Sequence, residues 1–225
     1  MKTLMFPLTI GVAGLAVLIS LGVWQVQRLS WKEQILADIN HRIAAEPIAI
    51  PVSPDPIDDL YLPVSATGTF AGDPLRVLVS VKIFGAGHRL ISVFETDGRR
   101  ILVDRGYLRL QETTETPPEE VTIVGNLHWP QDADSFTPDP DGDLWFARDV
   151  AAMADRLGAE PILIVARELS PAEKNVTPLP VDTNGIPNDH LEYAITWFSL
   201  AFIWILMTGY WIWRNRTNKS QAKAK

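Results

Sequence analysis

The 225 residues contain no cysteine. That excludes disulfides, thiolate nucleophiles, iron–sulfur clusters, Cys-ligated zinc and copper sites built on thiolates. It leaves the redox compartment open, because an oxidising space tolerates a cysteine-free domain. Also missing are a Gly-x-Ser-x-Gly elbow, a His-Glu-x-x-His pair, a phosphate-binding glycine loop and a dinucleotide fingerprint, the usual sequence frames of hydrolytic and nucleotide chemistry. Gly85-Ala86-Gly87 is too short for a phosphate site and reads as a turn between strands. The run Asp132, Asp134, Asp139, Asp141, Asp143 partly resembles a calcium loop, but no Glu follows at the twelfth position, so it reads as a solvated loop.

Charge is absent from two long stretches. No charged side chain lies between Lys2 and Arg28, and Leu4 to Trp24 has only Thr9 and Ser20 as polar groups. Tyr193 to Trp213 is uncharged as well. At about 1.5 Å per residue each stretch reaches roughly 31 Å, close to the ~30 Å hydrocarbon core of a bilayer. A lipid bilayer is therefore an expected partner, through transmembrane helices at 4–24 and 189–213.

All 27 Asp and Glu lie between Gln25 and Glu192, with 14 of the 20 Lys and Arg, a balance of about −13. So acidic a middle argues against nucleic acid, whose phosphates need clustered cations. The tail at 214–225 carries Arg214, Arg216, Lys219, Lys223 and Lys225 and no acid, which the positive-inside rule places in the cytoplasm. Lys2 agrees. The first apolar run exceeds a signal peptide's and lacks an Ala-x-Ala-like site, so an uncleaved anchor is expected. With no Arg-rich presequence ahead of it, the expected home is a bacterial inner membrane, both termini cytoplasmic and the middle periplasmic.

Sixteen of the seventeen prolines fall between Pro47 and Pro187, in clusters at Pro47 to Pro56, Thr116 to Pro118, Thr137 to Pro140 and Pro171 to Pro187. Between them, Tyr61 to Phe70, Leu75 to Ile83, Arg89 to Glu95, Arg100 to Leu108, Val121 to Trp129 and Pro161 to Arg167 read as strands, with Asp97-Gly98 as a hairpin turn. Asp149 to Leu157 reads as a short helix, capped by Asp149 and stopped by Gly158. An amphipathic stalk helix is expected at 25–46, ended by Pro47. The fold class is thus a membrane protein, with two transmembrane helices flanking a mainly antiparallel β domain at 47–187, a sheet or small barrel with one short helix. Arg105, in an apolar strand, reads as a structural partner of Asp104 or another acid.

His41, His88 and His128 read as surface residues. His190 stands at the mouth of the second span after Pro187-Asn188-Asp189, where Asp189 can cap the helix and Glu192 pair with it. Steps of three, four or seven from His190 reach Tyr193, Ala194, Trp197, Ala201 and Trp204, one face with an imidazole at the membrane surface and flat rings below. A metalloporphyrin suits such a face. Interfacial anchoring by His, Tyr and Trp suits it too, and spacing alone leaves both open.

Two segments carry a resemblance. Leu21-Gly22-Val23-Trp24-Gln25-Val26-Gln27-Arg28-Leu29-Ser30-Trp31-Lys32 resembles the Leu-Gly-x-Trp-Gln-x-x-Arg-x-x-Trp-Lys stretch of the Surfeit locus protein one family of cytochrome c oxidase assembly factors. Pro187-Asn188-Asp189-His190-Leu191-Glu192-Tyr193-Ala194-Ile195-Thr196-Trp197-Phe198 resembles its Asn-Asn-His-Leu-x-Tyr-Ala-x-Thr-Trp-Phe stretch. Ala66-Thr67-Gly68-Thr69-Phe70 and Gly98 to Tyr107 resemble two further elements in the expected order. The departures are Asp189 for the second Asn, Tyr107 for Trp and His88 for Tyr.

The resemblance implies a non-enzymatic factor that takes haem a, as cargo, from haem a synthase to subunit I of a haem-copper oxidase. It implies His190 as iron ligand; Trp197, two turns below, is then the expected ring-stacking neighbour, and Trp24 and Gln25, at the same depth on the first span, with Tyr193 are expected to complete the pocket. Arg28, at headgroup level, can pair with haem propionates by charge-assisted bonds or serve as an ordinary interfacial arginine, and both readings stay open. A haem-independent scaffold for oxidase assembly is the alternative.

Overall fold

The computed structural model describes residues 2–113, 117 and 119–223, and side chains from 8 to 215 among them. The expectations for Lys2, for the tail from Arg216 onward and for Thr116 and Pro118 lie outside those described side chains and residues. The element order is α1 (Lys2–Ile43), β1 (Pro63–Val81), β2 (Gly85–Thr96), β3 (Arg99–Arg109), β4 (Val121–Leu127), β5 (Leu144–Trp145), α2 (Val150–Leu157), β6 (Leu163–Ser170) and α3 (His190–Lys223). The chain divides into two units, Met1–Asp38 with Asn184–Lys225, and Ile39–Thr183.

Leu8–Ile43, of which the part up to Asp38 belongs to the first unit, and His190–Asn215 mark helices long and apolar enough to cross a membrane. A core helix of a soluble protein would be mostly buried, whereas only 17% and 6% of their apolar windows are covered by protein. Leu191, Ile195, Phe202, Ile205 and Leu206 all lie exposed on α3. So continuous an apolar surface needs lipid around it.

The second unit is a small closed barrel. β1 is long enough to pair twice, Pro63 to Gly68 with β4 and Thr69 to Val81 with β2. β2 pairs with β3, β3 runs parallel to β6, and β6 runs antiparallel to β4, which completes the ring. Closure leaves no free edge on these five strands. The two expected strands Tyr61 to Phe70 and Leu75 to Ile83 are therefore one. Asp73-Pro74 interrupts the pairing without ending it, because the register shifts between Ala71 and Leu75 and Gly72 takes φ 69°. Gly85-Ala86-Gly87, expected as a turn, instead opens β2 opposite Val79 to Val81.

Period-2 alternation then sorts the apolar side chains onto two faces. Ile101 and Val103 join Phe94, Ile123 and Ile164 in one core. Leu102 joins Ile91, Leu163 and Val165 in another, covered by Val150, Met153 and Ala154 of α2 and by Trp145 of β5. α2 begins where Asp149 accepts the Ala152 N–H at 3.0 Å and stops at Gly158, whose left-handed φ of 63° suits glycine. The last carbonyl of α1, at Ile43, accepts from Asn126 Nδ2 at 3.0 Å and from Arg167 Nη1 at 3.2 Å, satisfying a helix end that has no intrahelical donor.

Arg105 is fully buried and ion-paired with Glu173, itself buried, and it also donates to Ser92 Oγ at 3.2 Å. Of the two partners allowed by the sequence, Asp104 or another acid, the structure has the second, Glu173. The adjacent Asp104 is engaged elsewhere, by Arg89, by Arg148 at 3.6 Å and by the Gly106 N–H at 3.1 Å.

Candidate functional site

The site is built within the first unit, where α1 and α3 run side by side. Their contact is made possible by missing side chains. A Cβ on Gly22 would come within 2.7 Å of the Phe198 ring, one on Gly14 within 2.7 Å of Trp204, and one on Gly11 within 2.6 Å of Thr208. Ala194 and Ala201 are buried on the facing side of α3. Small residues that let two backbones approach are the usual way membrane helices associate, since lipid removes the hydrophobic drive between them. Trp204 adds a polar tie, its Nε1 donating to the Gly11 carbonyl at 2.8 Å.

At the upper end of this seam stands His190, the first residue of α3. The Asp189 carbonyl accepts the Tyr193 N–H at 3.2 Å, which places Asp189 at the helix cap. The His190 ring meets Gln25 of α1, Nδ1 to Oε1 at 2.9 Å. Gln25 is 8% exposed. An amide oxygen can only accept, so in the neutral ring Nδ1 carries the proton and Nε2 carries the lone pair. Histidines that ligate metals are oriented in this way, by a carbonyl or carboxylate behind the far nitrogen. The structure thus offers one nitrogen ligand on a fixed ring, beside a seam of apolar side chains.

The other residues singled out from the sequence lie on the same two helices as this pair. Trp24 and Tyr193 are about half exposed, at 50% and 56%, and Trp197 is partly covered. They present flat rings outward, where a bilayer or a bound planar molecule can meet them. Arg28 lies over the Trp31 ring, its guanidinium carbon 4.1 Å from the centroid. This cation–π contact steadies the charge while the guanidinium keeps donors able to fork onto a carboxylate. Sequence reasoning missed Gly11, Gly14 and Gly22 as the floor of the seam. Their signal was available as glycines inside an apolar helix.

Of the histidines read as surface residues, His128 differs from expectation. It is half-buried, its ring stacked on Tyr61 at 5.5 Å between centroids, with its Nδ1 buried and without a hydrogen-bond partner. It lines a concave surface of about 480 Å³ with Tyr61, Trp129 and Asp132. Burial pushes its pKa down from the ordinary 6.5 to about 4; the nearby Arg148 adds to this and Asp132 opposes it. The unfolded chain therefore binds a proton there that the folded one refuses, and stability falls as pH drops from about 6.5 towards about 4 and is unaffected by this group above that range. The loss of thermal stability of the detergent-solubilised chain between pH 7.5 and pH 4.5 is expected to be smaller in His128→Phe than in the wild type; an unchanged difference would contradict the burial argument.

Comparison with known proteins bears on the chain as a whole. The model of the SURF1 family matches residues 12–202, a stretch that includes Gln25, the β barrel and His190. Surfeit locus protein 1 of Rattus norvegicus is 32% identical over 215 residues, covering 82% of this chain and 70% of its own. A SURF1-like protein of Drosophila melanogaster is 32% identical over 218 residues, covering 82% and 71%. A SURF1-like protein of Monosiga brevicollis is 30% identical over 233 residues, covering 91% and 86%.

Proposed function

The chain belongs to the SURF1 family, and from that premise we propose that it is a non-enzymatic membrane factor of haem-copper oxidase biogenesis, which receives haem a from its synthase and passes it to the catalytic subunit I. The observation that carries this reading is the His190–Gln25 contact, a ring held by its Nδ1 at 2.9 Å with the other nitrogen left to take iron. A carrier must hold its cargo against the pull of free bilayer and still let go. One histidine ligand with apolar packing meets that need better than a closed cage. Trp197, Tyr193 and Trp24 supply faces for the porphyrin, and Arg28 a cation for the propionates. The charge distribution supports an inner-membrane placement with the acidic β domain on the periplasmic side and both termini in the cytoplasm.

Purified from a host that makes haem a, the protein is expected to carry its visible spectrum. A colourless preparation from such a host would favour the scaffold reading, in which the barrel holds assembly intermediates without haem. Gln25→Leu removes the acceptor behind the ligand and is expected to weaken haem binding by about 10–100-fold, as loss of such supporting partners does elsewhere. Titration of the solubilised protein followed by absorbance checks this, and an unchanged affinity would mean that Gln25 does not orient the ring.

A further inference from the structure

Below the His190–Gln25 contact the same two helices border an open groove of about 630 Å³, lined by Ile10, Ala13 and Leu18 on α1 and by Leu200, Ile203 and Met207 on α3, with Trp204 between them. No charged side chain lines it. The groove continues the face that carries the site. On α3, steps of three and four lead from His190 through Tyr193, Trp197 and Leu200 to Trp204 and Met207; on α1 the corresponding line runs from Arg28 through Gln25, Leu21 and Leu18 to Gly14 and Ile10. Each helix thus presents one continuous stripe that carries its polar groups at the upper end and uncharged, mainly apolar side chains below.

Depth along the stripe discriminates between ligands. Leu18 lies about 10 Å below Gln25 and Leu200 about 15 Å below His190, while Ile10 and Met207 lie roughly 22–25 Å down. A porphyrin whose iron sits at His190 ends before the groove begins. A porphyrin ligand held at His190 reaches the groove only if the edge of its ring that points into the membrane carries a long, flexible, apolar arm, with the carboxylates on the opposite edge near Arg28. Haem a and haem o have this layout, a hydroxyethylfarnesyl chain across the ring from the propionates; haem b has the propionates and no chain.

We infer that the groove between α1 and α3 is a subsite for the isoprenoid tail of the cargo, and that it makes the protein selective for tailed haems over haem b. This rests on the haem reading above. Because lipid is as apolar as the groove, selectivity comes from packing rather than dehydration, and its expected size is about tenfold rather than thousands.

The test is titration of the full chain, in nanodiscs of phosphatidylethanolamine and phosphatidylglycerol, with haem o and with haem b. The wild type is expected to bind haem o at least about tenfold more tightly. Ala13→Phe, which fills the groove from the α1 wall, is expected to abolish that preference by weakening haem o while leaving haem b within about twofold. Equal affinities in the wild type, or a preference that survives Ala13→Phe, would overturn the tail subsite and assign the groove to ordinary acyl chains, with the haem reading intact. Binding of neither haem would overturn both. Should Ala13→Phe weaken both haems, Ile203→Trp, which fills the groove from the other helix, decides: selective loss of haem o supports the subsite and parallel loss overturns it.

Discussion

Replacing His190 by alanine is expected to lower haem affinity by more than about 100-fold, beyond the 10–100-fold that loss of a supporting residue typically costs. In the proposed carrier His190 is the single protein ligand. With Nε2 gone, the Arg28 cation and contact with apolar side chains remain, and the surrounding bilayer supplies much of the latter. Tyr193→Phe and Trp24→Leu, whose side chains offer faces rather than a ligand, are expected to cost far less. Absorbance titration of the three variants beside the wild type orders these effects. Equal losses in all three would point to a seam that binds by shape alone.

The second large effect lies in the barrel. Glu173→Ala removes the acid that pairs with Arg105, a guanidinium with no exposure to water, and leaves a buried charge without its counter-ion. Removal of one member of a buried pair typically costs about 3–5 kcal/mol, which for a chain of this size is a fall of roughly 10 °C in melting temperature. Replacing both members by apolar residues of similar size, as in Arg105→Met with Glu173→Leu, is expected to restore much of the loss, because the desolvation of both charges is then avoided. Thermal unfolding of the single and double variants in detergent distinguishes the pair from an ordinary packing contact, for which the double variant would be the less stable one.

What could be read in advance followed the range of the forces involved. The apolar helices, the Asp97-Gly98 hairpin between β2 and β3, and α2 with its Asp149 and Gly158 caps are set by residues close in sequence. The fusion of two expected strands into β1 was not legible, because Asp73-Pro74 looks like a stop and only the renewed pairing with β2, from Leu75 opposite Ile91 to Val81 opposite Gly85, carries the strand onward. β5 escaped notice for a related reason. It is two residues long and exists through its pairing with Arg76 and Val77. That the sheet closes on itself depends on β1 reaching both β2 and β4, a long-range arrangement with no local pattern.

The same distinction holds at the site. His190 was legible because a helix start, an acidic first turn and a resemblance coincide on it. Gln25 was named through the resemblance, while its contact with the His190 ring bridges 165 residues of sequence. The burial of His128 likewise comes from Tyr61, on a segment far from it in the chain. The groove was invisible, because it is defined by what the glycine and alanine positions leave unfilled. Its walls are ordinary apolar residues whose partners lie on the other helix.

The central claim is that the nitrogen of His190 that faces away from Gln25 holds the iron. Resonance Raman spectroscopy of the ferrous, haem-loaded protein tests it most directly. The account predicts an iron–imidazole stretching band that is absent in His190→Ala, returns when imidazole is added to that variant, shifts in Gln25→Leu as the hydrogen bond behind the ring is lost, and is unmoved by His88→Ala or His128→Ala. A band that survives in His190→Ala, or one that disappears with another histidine, would contradict it.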